Sequence, residues 1–146
     1  MAVRDLCKFK DPILKQKCSP VTTFDDSLYQ LIKDMRDTMQ YNRGCGLAAP
    51  QIGSIEQVII VQRQKCKGVY AIINPEITEQ SFYTNTAPEA CLSYPGISKM
   101  ISRPLSVTVK GKNIQGEDIS IHAAGFEARI LCHEIDHLEG SCKLAG

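Results

Sequence analysis

The stretch GFEARILCHEIDHLE, residues 125–139, constrains this chain more than any other. At about 100° per residue it reads as a helix. Phe126, Ile130, His133 and His137 share one stripe, with Glu134 at its edge, while Leu131, Ile135 and Leu138 fall on the other side. A helix that is apolar on two sides belongs in the middle of a domain. The rest of the chain must therefore wrap it, and the helix carries two histidines and a glutamate into the interior.

The wrapping material is strand-like. VIIVQ (58–62) and VYAIINP (69–75) are short, apolar and β-branched, and Asn-Pro is expected to close the second. Further strand-like pieces lie around 77–84, at SVTVKGKN (106–113) and at EDISIHA (117–123), with NIQGED predicting a hairpin turn between the last two. Residues 25–40 predict an amphipathic helix: Leu28, Leu31, Ile32, Met35 and Met39 recur at helical spacing, Asp25 and Asp26 stand at its start, and Gly44 follows its end. The expected fold class is α+β, with antiparallel β-sheets packed around a central C-terminal helix carrying HExxH and an N-terminal amphipathic helix. With 146 residues and no linker or repeat, a single catalytic domain spanning 1–146 is expected.

Charge narrows the function. The formal net charge is +1, which argues against nucleic-acid and membrane partners. The first residues, MAVRDLCKFKDPILKQKC, mix charges into every window and lack an apolar signal core, so a cytoplasmic location is expected. Seven cysteines without a secretion signal read as thiols in a reducing compartment. Cys7, Cys18, Cys66 and Cys142 are expected to be buried or incidental thiols, and no CxxC pair suggests a cysteine-only metal site.

HEIDH (133–137) sets two histidines one helical turn apart, so that their rings can converge on one ion with Glu134 beside it. The alternative, two histidines bonded locally and a solvated glutamate, conflicts with burial, because unpaired polar groups in a core are costly. His122 stands alone in a strand and is expected to be structural or on the surface. A catalytic ion needs a third protein ligand and an open position. Downstream of His137 the one carboxylate is Glu139, which points away on the same helix, so the ligand should come from upstream. PEACLSYPG (88–96), a polar segment bounded by prolines and able to be irregular, offers Cys91. Composition alone does not choose Cys91 over Cys45 or Cys66.

Three segments, GCGLAAPQ (44–51), EACLS (89–93) and HEIDH, resemble in order and spacing the three motifs of the peptide deformylase family. That family's pattern is Gly-x-Gly-x-Ala-Ala-Pro-Gln, Glu-Gly-Cys-x-Ser and His-Glu-x-Asp-His. The resemblance extends over nearly the whole chain, including DPILKQKCSPV near the start and RPLSVTV before the last hairpin.

The resemblance implies a metal-dependent hydrolase that removes the formyl group from the N-terminal formyl-methionine of newly made polypeptides and releases formate. It implies one divalent metal, natively Fe2+, with Zn2+, Ni2+ or Co2+ able to substitute, held by Cys91, His133 and His137. Glu134 would be general base and acid. The Gln51 side-chain amide and the Leu92 backbone N–H would stabilise the oxyanion. The Gly46 backbone would pair with the peptide, and Cys45, Phe126, Ile130 and His133 would wall the methionine pocket. Glu89 is carried over as a substrate-site residue. Arg103 matches an arginine placed near the substrate backbone, the competing reading being an ordinary surface charge. Asp136 is expected to support the helix through an ion pair or hydrogen bond and not to ligate. Partners are N-formyl-methionyl peptides; a monomer is the default, and the short polar tail HLEGSCKLAG gives no ground for inferring ribosome docking.

The chain departs from the family pattern at Ala90, in place of a glycine, where alanine is strained only if φ is positive. It departs again at Cys45, where a branched aliphatic residue is usual. Two other functions fit parts of the pattern. One is another HExxH metallopeptidase or amidase, which would cleave unformylated peptides at least as well. The other is a non-enzymatic, metal-stabilised deformylase-like module that binds peptide ends, against which Glu134 and Gln51 argue because neither is needed to hold metal.

Overall fold

In the computed structural model, which describes residues 2–63 and 68–145, strand β2 (Val58–Gln62) explains the layering. Val58, Ile59, Ile60 and Val61 are all buried, although alternate residues of a strand point to opposite faces. Both faces must therefore be covered. Ile59 and Val61 pack with Ala128, Ile130 and Leu131 of helix α2 (Gly125–Leu138). Val58 and Ile60 pack with Leu28, Leu31, Met35 and Met39 of helix α1 (Asp26–Tyr41). Met35 and Met39 lose all their exposure, a burial that stabilises by roughly 1.5–3 kcal/mol per side chain. Asp25 caps α1, its side chain accepting from the Leu28 N–H at 3.1 Å.

The sheet between the helices has five antiparallel strands in the order β1-β2-β3-β6-β7. These are β1 (Gly46–Ala48), β2, β3 (Val69–Gln80), β6 (Ser106–Lys112) and β7 (Asp118–Ala124). A separate hairpin, β4 (Thr84–Cys91) with β5 (Tyr94–Pro104), lies against the opposite side of α2. The C-terminal helix is thus held between the five-stranded sheet and the hairpin, as a helix apolar on two sides requires.

One local expectation is corrected. Asn74-Pro75 does not close the second strand: β3 continues to Gln80, taking up the first part of the piece expected at 77–84. Asn74 has φ of 55°, and a register shift between Ile73 and Glu76 carries the proline through a bulge, where its missing N–H costs the ladder nothing. PEACLSYPG forms the end of β4, the turn at Leu92 and Ser93, and the start of β5, with a register shift between Ala90 and Cys91 just before the turn. GCGLAAPQ supplies the edge strand β1 at Gly46–Ala48 and a 3-10 turn at Ala49–Ile52.

Past α2 the chain reverses at Gly140, whose φ is 73°. A Cβ there would lie 2.5 Å from the Lys15 carbonyl oxygen, so only glycine permits the reversal. That turn brings Cys142 and Leu144 back into a small core with Leu14, Tyr94 and Ile101.

Candidate active site

The edge strand β1, the β4–β5 turn and helix α2 meet at a cleft of about 430 Å³. Its walls include Cys45, Gly46, Gln51, Glu89, Cys91, Leu92, Phe126, Ile130, His133 and Glu134. Phe126 is 59% exposed and forms a lip, and the Cys45 thiol is exposed at the mouth. His137 and Arg103 lie outside this lining.

At Gly46 helix α2 approaches the sheet closely. A Cβ on it would sit 2.6 Å from Ile130 Cγ2 and 2.7 Å from Glu134 Oε2. The glycine therefore lets the Glu134 carboxylate lie against β1. The strand's alternation adds a second consequence. The Cys45 carbonyl accepts from Gln62 N–H across the ladder at 2.8 Å, while Ala48 N–H turns outward to Gln51 Oε1 at 3.0 Å. Gly46 stands at the intervening outward register, so its N–H and C=O point off the free edge of the sheet.

Gln51 is buried with its amide orientation fixed. Its Oε1 is held by Ala48, so Nε2 faces the hairpin turn, donating to Ser93 Oγ at 3.1 Å and lying 3.5 Å from Cys91 Sγ. Leu92 occupies that turn beside it. Ala90 carries no strain, since Arg43 and Asn74 are the non-glycine residues with positive φ among those described.

Donor atoms from Cys91, His133, His137 and Cys142 all lie within 4.8 Å of one another. His137 Nε2 is 3.2 Å from Cys91 Sγ. His133 Nε2, His137 Nδ1 and Glu134 Oε1 are buried without a hydrogen-bond partner. Orphaned atoms of this kind beside two thiols are costly unless something else completes them. The donor set fits a soft divalent cation. Cys142 is buried, as expected, but the Gly140 reversal also brings its sulfur to this cluster, which the sequence did not indicate. Cys18 is buried elsewhere, Cys7 is half-buried, and Cys66 lies outside the described residues.

Behind the donors runs a buried ionic network. Arg103 donates to both oxygens of Glu89 at 2.9 Å and to Asp136 Oδ2 at 2.7 Å. Arg129 donates to Glu89 at 2.7 Å, to the Ile101 carbonyl at 2.8 Å and to Asn85 at 2.7 and 3.0 Å. Glu89 Oε1 is 3.3 Å from His133 Nδ1, an ionic approach rather than a hydrogen bond, so both ring nitrogens are buried without a hydrogen-bond partner. Arg103 is 4% exposed, so it is neither a surface charge nor part of the cleft wall. Glu89 borders the cleft, but its carboxylate is taken up by the two arginines rather than free for substrate. Asp136 supports the helix through the Arg103 pair. His122 is exposed and bonded to Thr108 Oγ1 at 3.0 Å.

Sequence reasoning missed Arg129, Cys142 and Ser93. A signal for Arg129 was present: it stands four residues before His133 on the inward stripe of α2. Nothing in the spacing pointed to Cys142, whose approach depends on the Gly140 turn.

Electrostatics follow from this packing. Burial pushes the Glu134 carboxyl up from its ordinary value. Burial also opposes the Glu89 charge, but His133, Arg103 and Arg129 outweigh it and hold that carboxyl at about 2. Burial disfavours the His133 imidazolium, yet Glu89 and Glu134 outweigh it and push the ring up to about 9, in a position where a bound cation would take the proton's place. The Cys91 and Cys142 thiols act as a pair: the first proton leaves readily, because the thiolate is held by the other S–H and by His137, and the second is retained.

A buried glutamate beside convergent donors, at the floor of a cleft with a free strand edge, fits a metal-dependent hydrolase. The model of the family described as polypeptide deformylase matches residues 3–144. A peptide deformylase of Natranaerobius thermophilus is 47% identical over 140 residues, covering 96% of this chain and 89% of the relative. Among solved structures, the peptide deformylase from Thermotoga maritima superposes with a TM-score of 0.93 at 38% identity, covering 97% of this chain and 95% of the other. The class I type b peptide deformylase from Acinetobacter baumannii, solved with Met-Ala-Ser bound, has a TM-score of 0.93 at 35% identity and 97% coverage of both chains. The chain belongs to the polypeptide deformylase family. It is an enzyme, and it removes the N-formyl group from nascent peptides.

Proposed function

We propose that the chain is one catalytic domain acting as a monomer in the cytoplasm, and that its substrate is the formyl-methionine end of a nascent chain. The observation that carries the assignment of the site is Glu134, 4% exposed, with an unpartnered Oε1 beside the donors. Cys91, His133 and His137 hold one divalent cation, Fe2+ by resemblance to the family, with Zn2+, Ni2+ or Co2+ able to replace it. When bound, the cation supplies Lewis acidity, acidifying water and polarising the formyl carbonyl.

The remaining work belongs to the chain. Glu134 takes the proton of the attacking water at Oε1 and delivers it to the departing amine. Gln51 Nε2 and the Leu92 N–H steady the formyl oxygen as it gains charge; the fixed orientation of the Gln51 amide supports this role. The outward N–H and C=O of Gly46 pair with the peptide backbone as an added strand. Cys45, Phe126 and Ile130 receive the methionine side chain, a reading supported by their place on the cleft wall and by the Met-Ala-Ser bound to the Acinetobacter relative. Glu89, with Arg103 and Arg129, positions His133.

The test is formate release from formyl-Met-Ala-Ser by protein purified anaerobically with Fe2+, beside cleavage of unformylated Met-Ala-Ser. Glu134→Gln should lower turnover by roughly 10²–10⁴-fold at unchanged cation content. Turnover near wild type in that variant, or preference for the unformylated peptide, sinks the assignment.

A further inference from the structure

We propose that Cys142 is a fourth protein donor, so that a divalent cation in this chain is held by two sulfurs and two imidazole nitrogens. The proposal rests on the reading that Cys91, His133 and His137 are ligands.

Three observations carry it. The Cys142 sulfur lies within 4.8 Å of every donor atom of the other three residues. Donors around a tetrahedral zinc-sized ion stand about 3.3–3.8 Å apart, so the four atoms need only a small contraction. Second, His133 Nε2 is buried and unpartnered, in a side chain 8% exposed, so the space among the four has an unsatisfied polar atom facing it. Third, the thiol is in contact with Cys91 and His137, although the remaining neighbours, Leu14, Tyr94, Ile101 and Leu144, are apolar. A cysteine placed merely to fill an apolar pocket would not require its sulfur to meet the two polar groups at the pocket's edge.

The position of Cys142 decides what the extra donor does. Cys91 and His133 border the cleft, whereas His137 and Cys142 do not. Cys142 therefore approaches from the side away from substrate, and the cleft side stays clear for a fifth group. A two-sulfur, two-nitrogen set is the composition of closed structural zinc sites. Here the same composition stands at the floor of an open cleft, and a second thiolate favours soft cations such as Zn2+ over harder ones.

The experiment is X-ray absorption at the zinc edge on the full chain loaded with one equivalent of Zn2+. Two sulfurs at about 2.3 Å are expected in the wild type, and one in each of Cys142→Ser and Cys91→Ser. Zinc affinity, measured by competition with a chelating dye, should fall at least about tenfold in Cys142→Ser. One sulfur with two imidazoles in the wild type overturns the proposal and leaves the three-ligand reading standing. Absence of sulfur, or of imidazole, overturns both. Should Cys142→Ser fail to fold, the wild-type sulfur count and Cys91→Ser still decide, because a chain whose one sulfur ligand is Cys91 would show none in that variant.

Discussion

Gly46→Ala tests how closely the helix must approach the edge strand. The new methyl would lie 2.6 Å from Ile130 Cγ2, 2.7 Å from Glu134 Oε2 and 3.1 Å from Glu134 Cγ. Carbon atoms normally rest near 3.5–4.0 Å, so relief requires a shift of about 1 Å between β1 and α2. Overpacking of this kind costs about 1–3 kcal/mol, equivalent to a fall in melting temperature of about 3–10 °C for a chain of this size. The catalytic effect should be larger, since a misplacement of about 1 Å at the reacting groups lowers rate by ~10²-fold. Calorimetry and formate release on the same preparation check both magnitudes. Ile130→Leu removes the β-branch methyl Cγ2 from the clash and should restore part of the activity of Gly46→Ala. A Gly46→Ala protein with unaltered melting temperature and turnover would refute the reasoning.

Other perturbations have equally definite outcomes. Arg129→Met removes one of the two arginines on Glu89 and leaves the buried Ile101 carbonyl without that donor, so it should cost about 1–3 kcal/mol in urea unfolding; a loss under about 0.5 kcal/mol would mean Arg129 is not holding hairpin to helix. Asp34 is buried, and burial alone would raise its carboxyl, but Arg4 and Gln30 hold it below its ordinary value. Its stabilising contribution is therefore present above the unfolded carboxylate value of about 3.9 and disappears as pH falls through the lower folded value. Asp34→Asn should flatten the acid limb of a stability–pH curve, and superimposable limbs would contradict this. Cys45 is the exposed thiol of the described cysteines, so limiting iodoacetamide should label it ahead of Cys18 and Cys132 and block formate release, while Cys45→Ser resists inactivation; mass spectrometry showing Cys18 or Cys132 labelled first would be decisive against it.

How much of this was written in the sequence depends on the range of the contacts concerned. VIIVQ and residues 125–139 are local patterns, and the structure puts a strand and a helix there within a residue or so at each end. Asn-Pro misled because a proline signal describes its own backbone, whereas continuation of β3 depends on pairing with β6 and on a bulge. Arg103 illustrates the same limit at the site. Its surroundings come from β4 and α2, fourteen and thirty-three residues away in the chain, so no local pattern could separate a surface charge from a buried one. Cys142 was invisible for a different reason: its neighbours are set by a single left-handed glycine two residues earlier.

The Arg103 and Arg129 network joins the hairpin bearing Cys91 to the helix bearing the histidines using protein groups alone. Small zinc modules, by contrast, fold only as their ion arrives. A chain tied together in this way keeps its socket shaped when empty. Exchange of one cation for another is then expected to leave the fold in place, because the ties between hairpin and helix do not include the ion.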